Sequence, residues 1–201
     1  MNIGFDGKDA LKNHTVSGEY SRLVIETLAR GDSSRKCLLY TPEMPRDACM
    51  DRIRALHNVE FRLPASQGFH GDLWRAFGIT NNLHSDGVQV FHGLCGELPL
   101  NIKEAHVPAV VSIHSLDFRK YPKRFNYFKR VLFNYKTASA CRNADRIIVP
   151  CEAIKEDIMN FYGTDSAKID VIDSALEGES LEKALFESYS KAIKAFEINK
   201  D

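Results

Sequence analysis

The sequence predicts an α/β fold: a doubly wound, mostly parallel sheet with helices on both faces. Three observations predict it. Short apolar runs alternate with helical patterns along most of the chain. Several of those runs are rich in β-branched residues, such as Val88-Gln89-Val90-Phe91 and Ala109-Val110-Val111-Ser112-Ile113, as strands covered on both faces are. The composition suits one packed domain, since the 201 residues are 44% hydrophobic and 27% charged, which excludes a disordered chain.

The elements follow in order. A strand at 2–6 ends in Asp6. Ser17 and Gly18 open a helix that carries Tyr20, Leu23, Val24, Thr27 and Leu28 on one face. Ser17 is its expected N-cap, and Gly31 closes it as the left-handed residue after the last turn. Strands are expected at 36–41, 59–62, 88–92 and 108–114. A long helical pattern then covers 120–143, with Pro122 in its first turn. After a strand at 146–150 comes a helix at 152–162, stopped by Gly163, and a strand at 168–172. The last helix, 180–196, has an apolar stripe of Leu181, Ala184, Leu185, Tyr189, Ala192, Ile193 and Phe196, with Glu187 and Lys191 as an i,i+4 pair. Such a stripe needs a surface, and the chain's own domain is the nearest. The organisation expected is a domain at 1–173, a linker at 174–179 and a helix within 180–201 packed on that domain.

Several function classes drop out. Lys+Arg and Asp+Glu number 27 each, so net charge gives no case for a nucleic-acid partner. No apolar run approaches the roughly 20 residues of a membrane span, and the first residues lack the basic and apolar regions of a signal peptide. Five cysteines, odd in number and never in C-x-x-C, suit a reduced, cytoplasmic protein. The histidines show no metal-ligand spacing, so no metal is expected. Without G-x-G-x-x-G no cofactor is expected, and without G-x-S-x-G no nucleophilic serine.

Open α/β sheets bind ligands at the carboxyl ends of their strands. Asp6 ends the first strand, and the loop 13–18 leads to a helix N-terminus at Ser17 and Gly18, where backbone N–H groups can meet an anion. A plain N-cap explains the same residues. The strand at 88–92 runs into His92-Gly93 and then Glu97-Leu98-Pro99. The strand at 108–114 runs into His114-Ser115, with Asp117 two residues on. Two histidines at neighbouring strand ends face one cleft, where an imidazole bonds hydroxyls or phosphate oxygens, or moves a proton. Either histidine alone serves equally well as a hydrogen-bonded structural residue.

Taken together, Ile3-Gly4-Phe5-Asp6, the loop 13–22, His92-Gly93-Leu94 with Glu97-Leu98-Pro99, and Ser112-Ile113-His114 followed by Tyr121-Pro122 form an ordered set. It continues through 140–149, Lys155-Glu156-Asp157-Ile158 and Lys168-Ile169-Asp170-Val171. Over about residues 1–173 this set resembles the N-terminal, Rossmann-like domain of family 4 glycosyltransferases of the GT-B fold. The resemblance implies the acceptor-side half of a retaining enzyme that moves sugar from a nucleotide-sugar to a sugar-containing acceptor, inactive without its nucleotide domain. It places Gly18 and its helix N-terminus near the donor diphosphate, His114 against the transferred sugar, and His92 and Glu97 on the acceptor side. Asp6, Ser17, Gly93 and Ser115 are further binding candidates.

The sequence departs from the family pattern at three places. Val16 stands where a glycine is usual, and Ser115 where an aspartate usually follows the histidine, which leaves Asp117 as the nearest carboxylate and a second catalytic candidate. Nothing after Ile172 reads as a second Rossmann-like domain, so the last helix resembles the one that in the family returns to pack on the N-terminal domain. The competing reading is a non-catalytic binding domain that retains only the half-fold. From Arg119 to Arg142 there are eight basic residues and no acidic one, interleaved with Tyr121, Phe125, Tyr127, Phe128, Phe133 and Tyr135. That segment reads either as a peripheral contact with the inner face of an anionic membrane, or as a solvated basic face with its aromatics turned into the core.

Overall fold

Seven parallel strands make one sheet: β1 (Asn2–Asp6), β2 (Lys36–Tyr40), β3 (Val59–Arg62), β4 (Val90–Gly93), β5 (Ala109–Ser112), β6 (Arg146–Val149) and β7 (Ile169–Val171). They lie in the order β3-β2-β1-β4-β5-β6-β7 in a computed structural model that describes residues 1–11, 15–44, 46, 48–64 and 71–198. The order reverses between β1 and β4, which opens a crevice at their carboxyl ends. Asp6 and Gly93 face each other there in register.

The helices are α1 (Val16–Gly31), α2 (Asp51–Arg54), α3 (Gly71–Leu73), α4 (Thr80–Leu83), α5 (Asp117–Lys120), α6 (Tyr127–Asn143), α7 (Glu152–Tyr162) and α8 (Gly178–Ile198), with a π-helical segment at Trp74–Gly78. Alternate strand residues point to opposite faces, so each strand feeds two cores. Ile3, Phe5, Leu39, Val90, Val110 and Ile148 pack beneath α1 and α8. Leu38, Tyr40, Phe91, Val111 and Ile147 pack beneath the π-helical segment, α4, α6 and α7. Leu181, Leu185, Tyr189 and Ala192 seat α8 on the first of these cores.

Several boundaries differ from expectation for physical reasons. The N-cap of α1 is Thr15, whose hydroxyl accepts from Gly18 N at 3.1 Å, while Ser17 lies in the first turn. Gly31 is the last helical residue and its φ is not positive; a Cβ there would lie 2.1 Å from a carboxylate oxygen of Glu182, so close packing with α8 accounts for it. Gly163 does end α7 in the left-handed conformation, at φ 64°. The expected helix over 120–143 is broken into α5, a 3₁₀ turn at Pro122–Arg124, and α6, which Asn126 caps by accepting from Phe128 N at 2.9 Å. The last helix starts at Gly178, inside the expected linker. Lys191 pairs with Asp170 at 2.8 Å rather than with Glu187.

The aromatics of the 119–142 segment divide: Phe125 packs against the second core and Phe133 meets Phe118, while others turn outward. Phe128 is 80% exposed, Tyr127 63% and Tyr135 60%. Among the described residues no helix is long and apolar enough to cross a membrane.

Candidate functional site

A cleft of about 550 Å³ opens at the reversal of strand order, lined by residues of the β1, β4 and β5 loops, α1, the 71–75 segment and α6. The two histidines part company here, because one strand runs through its histidine and the other stops short. His92 is inside β4, paired in register with Phe5 and Val110, and is fully buried. Its Nδ1 lies 2.8 Å from the Tyr189 hydroxyl and its Nε2 2.8 Å from Ser112 Oγ. Burial and the neighbouring His114 push its pKa down to about 3, so it is neutral. His92 lies beneath the cleft and does not line it.

β5 ends at Ser112, and His114 lies beyond it in the turn, where it lines the cleft. Its Nε2–H donates to the Leu94 carbonyl at 3.0 Å, which leaves Nδ1 as the acceptor nitrogen of the neutral ring. The Tyr20 ring meets it edge-on, with centroids 4.3 Å apart. Burial lowers the His114 pKa against the opposing effects of the Leu94 carbonyl and the Asp9 charge.

The remaining candidates divide as follows. Ser17, Glu97 and Ser115 line the cleft with His114. Gly18 is buried and its N–H is taken by Thr15, so it does not present that amide to a ligand. Val16, by contrast, projects outward with 81% of its surface exposed. Gly93 shapes the loop: a Cβ there would lie 2.1 Å from the Glu97 carbonyl oxygen. Asp6 is buried against Arg75, in a narrow recess behind the cleft. Asp117 is exposed at the start of α5 and outside the cleft lining, because the chain turns into a helix instead of continuing extended. Its N–H is capped by Ser115 Oγ at 3.0 Å. Asn13 and His14 of the predicted loop lie outside the described residues.

The structure adds a charge network that sequence reasoning missed. Arg75, on the π-helical segment, bonds both Asp6 oxygens and reaches Glu97 at 3.4 Å and Asp72 at 3.3 Å. Lys136 of α6 holds the same Glu97 oxygen at 2.9 Å, and Lys8 pairs with Asp72. Burial alone would lower the Arg75 pKa, but the charges of Asp6, Glu97 and Asp72 outweigh it and raise it. Two cations on one oxygen of Glu97 orient that carboxylate and leave its other oxygen to accept a hydroxyl proton. Lys136 was visible in the basic run; Arg75 had no signal.

Residues 23–176 match the family model "Glycosyltransferase Family 4". The chain belongs to that family. The match of glycosyltransferase family 4 to this chain agrees with its solved neighbours, which show the fold. One is Anabaena Alr3699/HepE, in complex with UDP and glucose, with 14% identity, TM-score 0.55, and 86% of this chain covered against 44% of that one. Another is the lipopolysaccharide outer core galactosyltransferase WaaB, with 14% identity, TM-score 0.52, and coverage of 86% and 45%. A third is a glycosyltransferase from Rickettsia africae, with 14% identity, TM-score 0.50, and coverage of 94% and 49%. The chain therefore spans just under half the length of these neighbours, as one half of a GT-B fold. No curated protein matches it by sequence.

Proposed function

We propose that these residues are the acceptor-side half of a retaining, nucleotide-sugar-dependent glycosyltransferase. The observation that carries the reading is the cleft at the strand-order reversal, where His114, Ser17 and Glu97 converge in a family 4 chain. Transfer with retention depends on stabilising a departing diphosphate and an oxocarbenium-like sugar. In this reading His114 Nδ1 accepts a hydrogen bond from a hydroxyl of the transferred sugar. Glu97, fixed by Arg75 and Lys136, accepts one from the acceptor. The α1 N-terminus near Ser17 faces the diphosphate. Residues 1–201 by themselves are expected to bind nucleotide-sugar weakly and to be inactive; that they match just under half the length of their neighbours supports this.

The setting proposed is cytoplasmic, in keeping with five free cysteines, and peripheral to an anionic membrane. The exposure of Phe128, Val131 and Tyr135 on α6 supports that contact, with Lys123, Arg124 and Arg130 beside it.

The test joins this chain to the nucleotide-binding domain of a family 4 relative and measures sugar transfer. His114→Ala is expected to lower kcat by about 10²–10³. An unchanged rate in that variant would overturn the site assignment and favour a binding domain that keeps only the half-fold.

A further inference from the structure

His92 is a buried titratable group for which the proposed transfer has no use, yet both its ring nitrogens are bonded. We propose that Tyr189 of α8 is a positioning residue for the His114 wall of the cleft, acting through His92, Ser112 and Tyr20. This rests on reading that cleft as the transfer site.

The links are short and nearly dry. Tyr189 is 1% exposed, His92 0%, Ser112 1% and Tyr20 9%. The Tyr189 hydroxyl is 2.8 Å from His92 Nδ1, and His92 Nε2 is 2.8 Å from Ser112 Oγ. Ser112 Oγ is 3.3 Å from the Tyr20 hydroxyl, and the Tyr20 ring meets the His114 ring edge-on at 68°.

Proton counting gives the chain a direction. Tyr189 has one O–H proton and, among the described residues, His92 Nδ1 is the acceptor beside it. Nδ1 therefore accepts, and the neutral ring carries its proton on Nε2 and donates it to Ser112. A hydroxyl on α8 thereby sets the tautomer of His92, and with Nε2–H donated to its Oγ, Ser112 keeps its own proton free for the Tyr20 hydroxyl. A phenylalanine at 189 would fill the same space without the hydroxyl, so packing alone does not account for tyrosine there. The helix that follows the domain thus becomes part of the site's support, although none of its side chains lines the cleft.

The experiment uses the full 201-residue chain with ¹⁵N-labelled histidine and reads long-range proton–nitrogen correlations of the imidazoles. His92 is expected to appear as the Nε2–H tautomer. Tyr189→Phe and, independently, Ser112→Ala are expected to shift the His114 ring resonances. Leu185→Ala, on the same buried face of α8 but outside the chain of bonds, should lower Tm and leave the His114 resonances in place. The proposal is overturned if both Tyr189→Phe and Ser112→Ala leave His114 at its wild-type shifts, if Leu185→Ala moves it as far, or if wild-type His92 carries its proton on Nδ1. Because the readout is the imidazole and not sugar transfer, such a failure leaves the proposed function standing. A loss of the proposed function would show only in the transfer assay.

Discussion

Arg75 Nε lies 2.9 Å from Asp6 Oδ1 and 3.2 Å from Asp6 Oδ2, with each side chain only 8% exposed. This bidentate pair ties the end of β1 to the π-helical segment across 69 positions of sequence. It also fixes the floor behind the cleft, because the same guanidinium reaches Glu97. A fork-shaped cation suits such a site better than lysine would, since it serves two carboxylates in one plane.

Removing one partner of a buried pair costs more than the pair itself contributes, because the other charge stays desolvated. Arg75→Leu is therefore expected to destabilise the fold by about 3–5 kcal/mol in urea unfolding. Arg75→Leu combined with Asp6→Leu should recover much of that loss. A single-variant loss below about 1 kcal/mol would show that Asp6 is not held as a buried anion.

The second prediction concerns acid. Burial, helped by the His114 charge, holds the folded His92 pKa near about 3, below its ordinary 6.5, and His114 is shifted the same way. Both rings bind protons less readily in the fold than in the unfolded chain. The His92 contribution is fully present above pH 6.5 and is lost as pH falls through the window toward about 3, and His114 acts in the same direction. For His92 the slope is about 1.4 kcal/mol per pH unit. Urea unfolding at pH 7, 6 and 5 should show this loss, and His92→Gln, which cannot titrate, should flatten it. Equal slopes in the two proteins would contradict the assignment.

How far the sequence could be read depended on whether the signal was local. β1, β3 and α7 are legible to the residue because each is bounded by its own chemistry, as Gly163 shows at the end of α7. The two histidines looked alike because strand ends are not readable to within one or two residues. β4 continues through His92 to Gly93, whereas β5 stops at Ser112, and that small difference sends one ring into the core and the other to the cleft. Arg75 was invisible because its partner is remote and nothing in the sequence marks the π-helical turn that aims it. In α6 apolar side chains surround the first turns, so their spacing did not say which side meets the core. Only Thr137, Ala140 and Cys141, in the second half, are buried.

The exposed start of α6 leads to the last prediction. Phe128, Val131, Leu132 and Tyr135 recur at i, i+3, i+4 and i+7, the spacing of a buried helix face, yet each is about half exposed or more. The proposed membrane contact draws on the basic residues around them: residues 119–142 include no acidic one, although Lys120 and Lys136 pair with Asp157 and Glu97 from elsewhere in the chain. Each basic residue near such a surface contributes about 1 kcal/mol, weakened by salt within a Debye length of about 10 Å at 0.1 M. The chain is expected to co-sediment with vesicles of mixed phosphatidylglycerol and phosphatidylcholine, to ignore pure phosphatidylcholine, and to detach as salt rises. Phe128→Ser with Val131→Ser, neither of which lines the cleft, should weaken that binding at least about tenfold, a loss within reach of two apolar side chains. Because Phe128 is 80% exposed and Val131 50%, the same change should leave Tm nearly unmoved. That pairing separates a docking face from a stability element. Wild-type chain that stays in the supernatant, or a variant that binds as well as wild type, would show that this face meets something other than a lipid surface.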